Sequence, residues 1–134
     1  MLIRSRVITN LFLYKPFKLL QAMSRLKNRV QLIGNTGNDP EITNLESGSK
    51  LAKLSLATNE TYNNDKGERV TDTQWHNVVA WGKTAELIEK YVSKGKEIAI
   101  EGKLSHRSYE DKNGEKRYFT EVVASEVLLL GAKA

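Results

Sequence analysis

From residue 28 onward, hydrophobic residues alternate with polar ones in short stretches that are separated by turn-forming residues. Because side chains of a β-strand point alternately to the two faces of a sheet, this period of two predicts strands with one buried face. The predicted strands are NRVQLIG (28–34), KLAKLSLAT (50–58), TQWHNVVAWGK (73–83), EIAIEGKL (97–104) and KRYFTEVVASEVLLL (116–130). The residues expected to face inward include Ala52, Leu54, Leu56, Val78, Ala80, Ile98 and Ile100.

One segment has helical spacing instead. In KTAELIEKYVSKGK (83–96), an apolar stripe predicts a helix that begins at Thr84 as the N-cap and stops at Gly95. The stripe consists of Leu87, Ile88, Tyr91 and Val92. The polar stretch 59–72 is predicted to be a loop, and the turn 111–114, which ends in Asn-Gly, predicts a hairpin.

The resulting order is three strands, a short helix and two strands. This is the order of an all-β fold with one short helix, the OB-fold, a five-stranded Greek-key barrel that carries ligands on its outer surface. An SH3-like barrel is equally small but does not call for a helix between the third and fourth strands. The sequence therefore favours the OB-fold.

Aromatic residues stand in unusually polar surroundings. On the strand TQWHNVVAWGK, Trp75 and Trp81 share one face, while His76, Val78 and Ala80 occupy the other. Tyr62 and Tyr109 also have hydrophilic neighbours. A single tryptophan in a small barrel is usually part of the core, but here the opposite face already supplies the interior. Exposed indoles suit the stacking of nucleic-acid bases, since every base has a flat π-face.

Basic residues accompany these aromatics and are candidates for phosphate contacts. A solvated surface charge is the ordinary role of any single lysine or arginine, but a track of them along a stacking surface would follow a nucleic-acid backbone. The candidate phosphate contacts are Arg25, Lys27, Arg29, Lys53, Lys66, Arg69, Lys83 and Arg107.

The first 22 residues differ from the rest in composition, with four basic residues and no acidic one. The chain has a net charge of +5, but residues 23–134 contain 17 basic and 16 acidic residues, so nucleic-acid binding must depend on local patches. A secretory signal is disfavoured because Lys15, Pro16 and Lys18 interrupt its apolar region. A mitochondrial presequence and a true start at Met23 stay open, and residues 1–22 are expected to be poorly ordered ahead of an OB domain at 23–134.

Catalytic and metal-binding patterns are not found in the sequence. The histidines His76 and His106 lie thirty residues apart without a carboxylate at ligand spacing. The segment GNTGNDP (34–40) lacks the lysine of a phosphate-binding loop and predicts a tight turn. The chain has no cysteine, and no stretch reaches the roughly 20 apolar residues that span a bilayer. We therefore expect no enzyme activity, no cofactor, no metal and no membrane insertion.

Five ordered segments resemble the homotetrameric single-stranded DNA-binding proteins of bacteria and mitochondria. They are NRVQLIGNTGNDPE (28–41), LSLATNETY (54–62), TQWHNVVAWGK (73–83), YVSKGKEIAIEGKL (91–104) and RSYEDKNGEKRYFTEVVA (107–124). The resemblance implies an OB-fold and four base-stacking positions, which fall on Tyr62, Trp75, Trp81 and Tyr109. It places His76 at a subunit interface and implies a homotetramer.

The resemblance also bears on partners and location. Many bacterial members continue into an acidic tip that recruits replication and repair proteins, whereas this sequence ends at LLLGAKA. The resemblance therefore does not imply recruitment by that route, and replication and repair proteins stay open as partners. The Met23 start favours the bacterial cytoplasm, at the nucleoid, and a presequence would instead place the protein in the mitochondrial matrix.

Taken together, the sequence predicts a protein that binds single-stranded DNA regardless of sequence and protects it in replication, recombination and repair. The alternative is an OB-fold accessory subunit that docks onto a replication or repair protein and contacts DNA little. The exposed aromatic and basic residues favour the first.

Overall fold

The computed structural model describes residues 18–23 and 26–131 of the 134-residue chain. Most of the N-terminal extension expected at residues 1–22 lies outside these ranges. Within it, residues 18–22 are helical, and their side chains are exposed.

Six strands form a single sheet in the described part of the chain. Their bounds are β1 Val30–Thr36, β2 Glu41–Asn44, β3 Lys50–Asn63, β4 Arg69–Trp81, β5 Glu97–Glu110 and β6 Lys116–Leu129. The order across the sheet is β1-β5-β6-β4-β3-β2, and β1 also pairs with β3 at Asn35↔Ala57 and Thr36↔Leu56. This last pairing closes five long strands into a barrel, which confirms the predicted OB-fold.

The short strand β2 was not predicted. It pairs with the first four residues of β3, from Glu41↔Lys53 to Asn44↔Lys50, outside the closed barrel. Four residues are too few to show an alternation of apolar and polar positions, so the sequence carries no signal for it.

The core lies inside the barrel and under the helix Gly82–Tyr91, which we call the barrel helix. The inward-facing residues predicted on β3, β4 and β5 are all buried. Leu56, Val78, Ile88 and Ile98 are the largest side chains that are fully buried. Each such side chain contributes about 1.5–3 kcal/mol when it leaves water, so the alternation that defines the strands also provides the core.

The predicted loop at residues 59–72 is wrong, because most of it is strand. The β3–β4 register continues without interruption from Leu51↔Trp81 to Asn63↔Arg69. Only residues 64–68 form the turn, in which the side-chain oxygen of Asn64 accepts hydrogen bonds from the backbone N–H groups of Lys66 and Glu68. The two strands therefore form a long hairpin whose outer half is hydrophilic apart from the pair Tyr62 and Val70.

The barrel helix is shorter than the predicted 83–96 and ends at Tyr91. The N-cap is Trp81, which makes no side-chain capping bond, and the hydroxyl of Thr84 instead donates to the carbonyl of Ser125 at 3.3 Å. Gly95, with φ of 84°, lies in the turn that follows. Among the described residues, no helix is both long and apolar enough to pass through a membrane.

The predicted apolar stripe of that helix is only partly correct. Ile88 and Val92 are buried together with Ala85, whereas Tyr91 is 54% exposed and Leu87 is 36% exposed. The barrel therefore covers a narrower face of the helix than the hydrophobic pattern predicted.

A second long hairpin joins β5 and β6, and the predicted turn at 111–114 is confirmed. Gly114 has φ of 78°, a left-handed conformation that glycine adopts readily. One carboxylate oxygen of Asp111 accepts hydrogen bonds from the N–H groups of Asn113 and Glu115, each at 2.9 Å, and the other accepts one from Arg117 Nε at 2.9 Å. The Arg117 side chain and these backbone groups hold the pKa of Asp111 below its usual range, although partial desolvation opposes them.

Candidate nucleic-acid interface

The two indoles of β4 point to solvent. Trp75 is 62% exposed and Trp81 is 49% exposed, while Val78 and Ala80, on the other face, are buried. This is the arrangement that the alternation predicted. Val79 departs from it, since it lies on the tryptophan face but is only 6% exposed. It pairs with Lys53 on one side and Val123 on the other, so the strands that flank β4 cover it.

The loop after β1 supports the indole of Trp75. At Gly37 there is no room for a side chain, because a Cβ atom there would overlap Trp75 Cζ3 and lie 2.9 Å from Trp75 Cη2 and from Ser55 Oγ. The loop is fixed in turn by Asn38, whose side-chain oxygen accepts hydrogen bonds from the backbone N–H of Ser55 at 3.0 Å and from its hydroxyl at 2.7 Å. The Gly37 N–H also donates to the Ser55 carbonyl at 2.9 Å.

The sequence predicted a tight turn at 34–40 but not that this loop lies against the indole of Trp75. The segment GNTGNDP shows the glycine and asparagine of a tight turn, but not which side chain would lie against it. The consequence is that the indole of Trp75 has one side fixed by backbone and the rest of its surface in solvent.

Tyr109 of β5 is 56% exposed and lies on the same face of the sheet as the tryptophans. The register establishes this, because Val79 pairs with Val123 and Val123 pairs with Lys103, from which Tyr109 is six residues along the same strand. The strand β6 lies between β4 and β5, and part of a shallow groove runs over it. The groove is lined by Asn38, Lys53, Ser55, Asn77, Phe119 and Glu121, among others.

Tyr62 is 54% exposed, but it lies on the other face of the β3–β4 hairpin. In the β3–β4 register, Tyr62 pairs with Val70 and Trp75 pairs with Ala57. Tyr62 is five residues from Ala57 on β3, and side chains an odd number of residues apart on one strand point to opposite faces. The four aromatic positions predicted from the sequence are therefore all exposed, and three of them share a face.

The predicted phosphate contacts differ in their surroundings. Lys27, Lys53, Lys66, Arg69 and Lys83 all have exposed side chains. Lys53 lines the groove, and Arg69 lies on the tryptophan face at the outer end of the hairpin. Arg29 lies 3.7 Å from a carboxylate oxygen of Glu101. Arg25 lies outside the described residues.

Arg107 has a carboxylate partner. Its Nε donates to Glu121 Oε1 at 3.0 Å and its Nη2 donates to Oε2 at 3.0 Å. The side chain of Glu121 is only 6% exposed, whereas that of Arg107 is 58% exposed. Arg107 also lies over the ring of Phe119, with 5.9 Å between Cζ and the ring centroid.

His76 is half-buried on the core-facing side of β4, and its Nε2 lies 2.9 Å from the hydroxyl oxygen of Thr58. Its role at a subunit interface stays a prediction.

Tyr118, which the sequence reasoning overlooked, is 78% exposed on the β5–β6 hairpin. The ammonium of Lys116 lies 5.8 Å from the centroid of its ring. The one signal in the sequence is the pair of successive aromatics in KRYFT, since Tyr118 and Phe119 must point to opposite faces of a strand and only one face can lie on the core.

The chain resembles proteins of one family over most of its length. A profile of the Single-strand binding protein family matches residues 27–130. The chain is 44% identical over 112 residues to Single-stranded DNA-binding protein 1 of Chlorobaculum tepidum, a match that covers 83% of this chain and 69% of that protein. It is 42% identical over 107 residues to Single-stranded DNA-binding protein 1 of Xylella fastidiosa, covering 79% of each. Among solved structures, the Plasmodium falciparum SSB complex with ssDNA matches with a TM-score of 0.72 and 33% identity, over 77% of this chain and 94% of that one.

Proposed function

The chain belongs to the single-strand binding protein family, and from this premise we propose that it binds single-stranded DNA without sequence preference. It is not an enzyme; its proposed role is to bind the strand. The observation that carries the proposal is the exposure of Trp75 and Trp81 on one face of β4, whose opposite face builds the core. Stacking of a base on an aromatic ring contributes about 1–3 kcal/mol and is sequence-tolerant, because every base has a π-face.

The proposed path of the strand crosses the sheet from β4 to β5. Bases stack on Trp75 and Trp81, pass over the groove above β6 and reach Tyr109. Tyr62, on the other face of the β3–β4 hairpin, provides the fourth stacking position. This arrangement holds the strand extended, with its bases occupied, which protects it during replication, recombination and repair.

Phosphates are proposed to follow the exposed cations beside this path. Lys53 lies within the groove, Lys83 follows Trp81 at the start of the barrel helix, and Arg69 flanks the outer hairpin. Lys66 and Lys27 extend the track, and Arg25 and Arg29 are assigned to it from the sequence. Each phosphate neutralised on a single strand contributes about 0.7 to the slope of log K against log salt concentration, so binding weakens as salt rises.

We also propose that the protein is a homotetramer. An apolar patch on the outer face of β1, β5 and β6 supports this assembly. Ile33 of β1 and Leu128 of β6 are each 63% exposed, and both pair with Ala99 of β5, which lies between them. Exposed apolar surfaces of this kind commonly mark contacts between proteins. The role of His76 at a subunit interface comes from the sequence resemblance alone and requires a second contact surface, because His76 lies on the core-facing side of β4, away from this patch. We place the protein with DNA in the bacterial cytoplasm, in line with its bacterial relatives.

A fluorescence titration tests the proposed function. Oligo(dT) added at low salt is expected to quench the tryptophan emission of the wild-type protein. Trp75→Ala and Trp81→Ala should each weaken binding by about 5- to 150-fold, the equivalent of one lost stack, and to the same extent for mixed-sequence strands. Tyr91→Ala is the control. Tyr91 is an aromatic residue that is 54% exposed, as is Tyr62, but it lies on the barrel helix, outside the proposed path of the strand. Absence of quenching by any oligonucleotide would favour a protein-docking subunit instead.

A further inference from the structure

A buried carboxylate lies within the proposed DNA-binding face. Glu121 of β6 is 5% exposed and lines the groove next to Asn77. A buried carboxylate is costly unless its charge is compensated. Arg107 provides this compensation through two hydrogen bonds of 3.0 Å, one to each carboxylate oxygen. The positive charge of Arg107 is therefore already matched within the protein, unlike that of an isolated surface cation.

The same two hydrogen bonds fix the guanidinium plane of Arg107. Arg107 and Phe119 are directly opposite each other in the β5–β6 register, and Arg107 Cζ lies 5.9 Å from the centroid of the Phe119 ring. The Arg107 side chain nevertheless remains 58% exposed. A flat cationic group is thus held over a ring and presented to solvent on the tryptophan face of the sheet, two residues from Tyr109 on β5.

We infer that Arg107 and Phe119 form a further base-stacking position, and that Glu121 is the positioning residue that holds it in place. This inference rests on the proposed function and takes single-stranded DNA as the ligand. Guanidinium planes stack on bases as aromatic rings do, and the pair lies where the strand must cross β6. Arg107 then contacts a base, rather than the phosphate that the sequence pattern predicted.

Salt dependence separates the two roles of Arg107. Arg107→Lys keeps the positive charge but removes the plane, so it should weaken oligo(dT) binding about five-fold or more and leave the salt slope unchanged. Phe119→Leu should have the same signature, and it leaves the ion pair intact. Glu121→Gln should raise the slope by up to about 0.7, because the charge of Arg107 is then no longer matched. Wild-type affinity in Arg107→Lys, or a slope lowered by the double variant Arg107→Ala/Glu121→Gln, would assign Arg107 to phosphate and overturn the inference.

Photochemical cross-linking gives a readout that a merely structural role would not produce. Ultraviolet irradiation of the wild-type protein with oligo(dT), followed by peptide mass spectrometry, should locate a thymine adduct on Phe119 as well as on Trp75. An adduct on Trp75 without one on Phe119 would refute the stacking position while leaving the proposed function intact. Failure of the wild-type protein to bind oligo(dT) at all would refute both.

Discussion

Replacing Gly37 by alanine should weaken DNA binding without unfolding the protein. The new Cβ would overlap the edge of the Trp75 indole and lie 2.9 Å from Ser55 Oγ. Ser55 is held by two hydrogen bonds to Asn38, at 3.0 and 2.7 Å, so the indole, which is 62% exposed, is the group that moves. The backbone of Gly37 does not require a left-handed conformation, because it is not among the glycines with positive φ.

The magnitude follows from what the indole loses. If the displaced ring no longer stacks, the cost is about 1–3 kcal/mol of binding free energy, or 5- to 150-fold in affinity. The melting temperature should change little, because a displaced surface ring leaves the barrel core untouched. Tryptophan-fluorescence titration with oligo(dT), paired with a thermal melt, measures both quantities.

A double-mutant cycle shows whether Gly37 acts through Trp75. In a Trp75→Ala background the overlap is gone, so Gly37→Ala should have no further effect on affinity. Equal losses from Gly37→Ala in both backgrounds would refute the reasoning, since the loop would then act on DNA directly or through another residue.

Three further results are expected. Lys83→Ala should lower the salt slope by about 0.7, whereas Lys90→Ala, at another exposed lysine of the same helix, should leave it unchanged. Equal slopes for both variants would remove Lys83 from the phosphate track. Leu128→Glu charges the apolar patch and should reduce the mass measured by light scattering below that of a tetramer, and a wild-type protein that is already monomeric would contradict the proposed assembly. The pKa of Asp111 is lowered, chiefly by Arg117. The stability that the Asp111 carboxylate adds to the hairpin turn is therefore present above the ordinary aspartate pKa and is lost as pH falls through the lowered value. Amide exchange at residues 113–115 should show this loss, and Asp111→Asn should abolish the pH dependence.

The barrel was predictable because burial leaves a pattern in the sequence. Where a strand has one face on the core, apolar and polar residues must alternate, and β3, β4 and β5 show this over the barrel. The outer half of the β3–β4 hairpin has no core to cover, so residues 59–63 and 69–72 are polar apart from the pair Tyr62 and Val70. Their pairing rests on backbone hydrogen bonds, which any side chain permits, and on local contacts such as the 2.6 Å hydrogen bond from Thr73 to Asn59. The sequence therefore predicted a loop.

The partner of Arg107 was hidden for a different reason. Glu121 is fourteen residues away along the chain and becomes adjacent only through the β5–β6 register. Its one signal is an acidic residue at the start of the apolar run VVASEVLLL, which from the sequence alone indicates an exposed position. Exposure of a side chain can be inferred from periodicity, whereas the identity of a cross-strand partner requires the register.

The position of Tyr62 constrains how a strand can bind. The β3–β4 register runs from Leu51↔Trp81 to Asn63↔Arg69 without a bulge, so Tyr62 and Trp75 lie on opposite faces of the hairpin. A strand that stacks on both must therefore cross an edge of the hairpin rather than follow one flat surface. The hairpin permits this because most of its outer half is hydrophilic, with Arg69 on the tryptophan face of that half. A strand long enough to reach only one face should then be insensitive to Tyr62→Ala, and a longer strand should lose affinity.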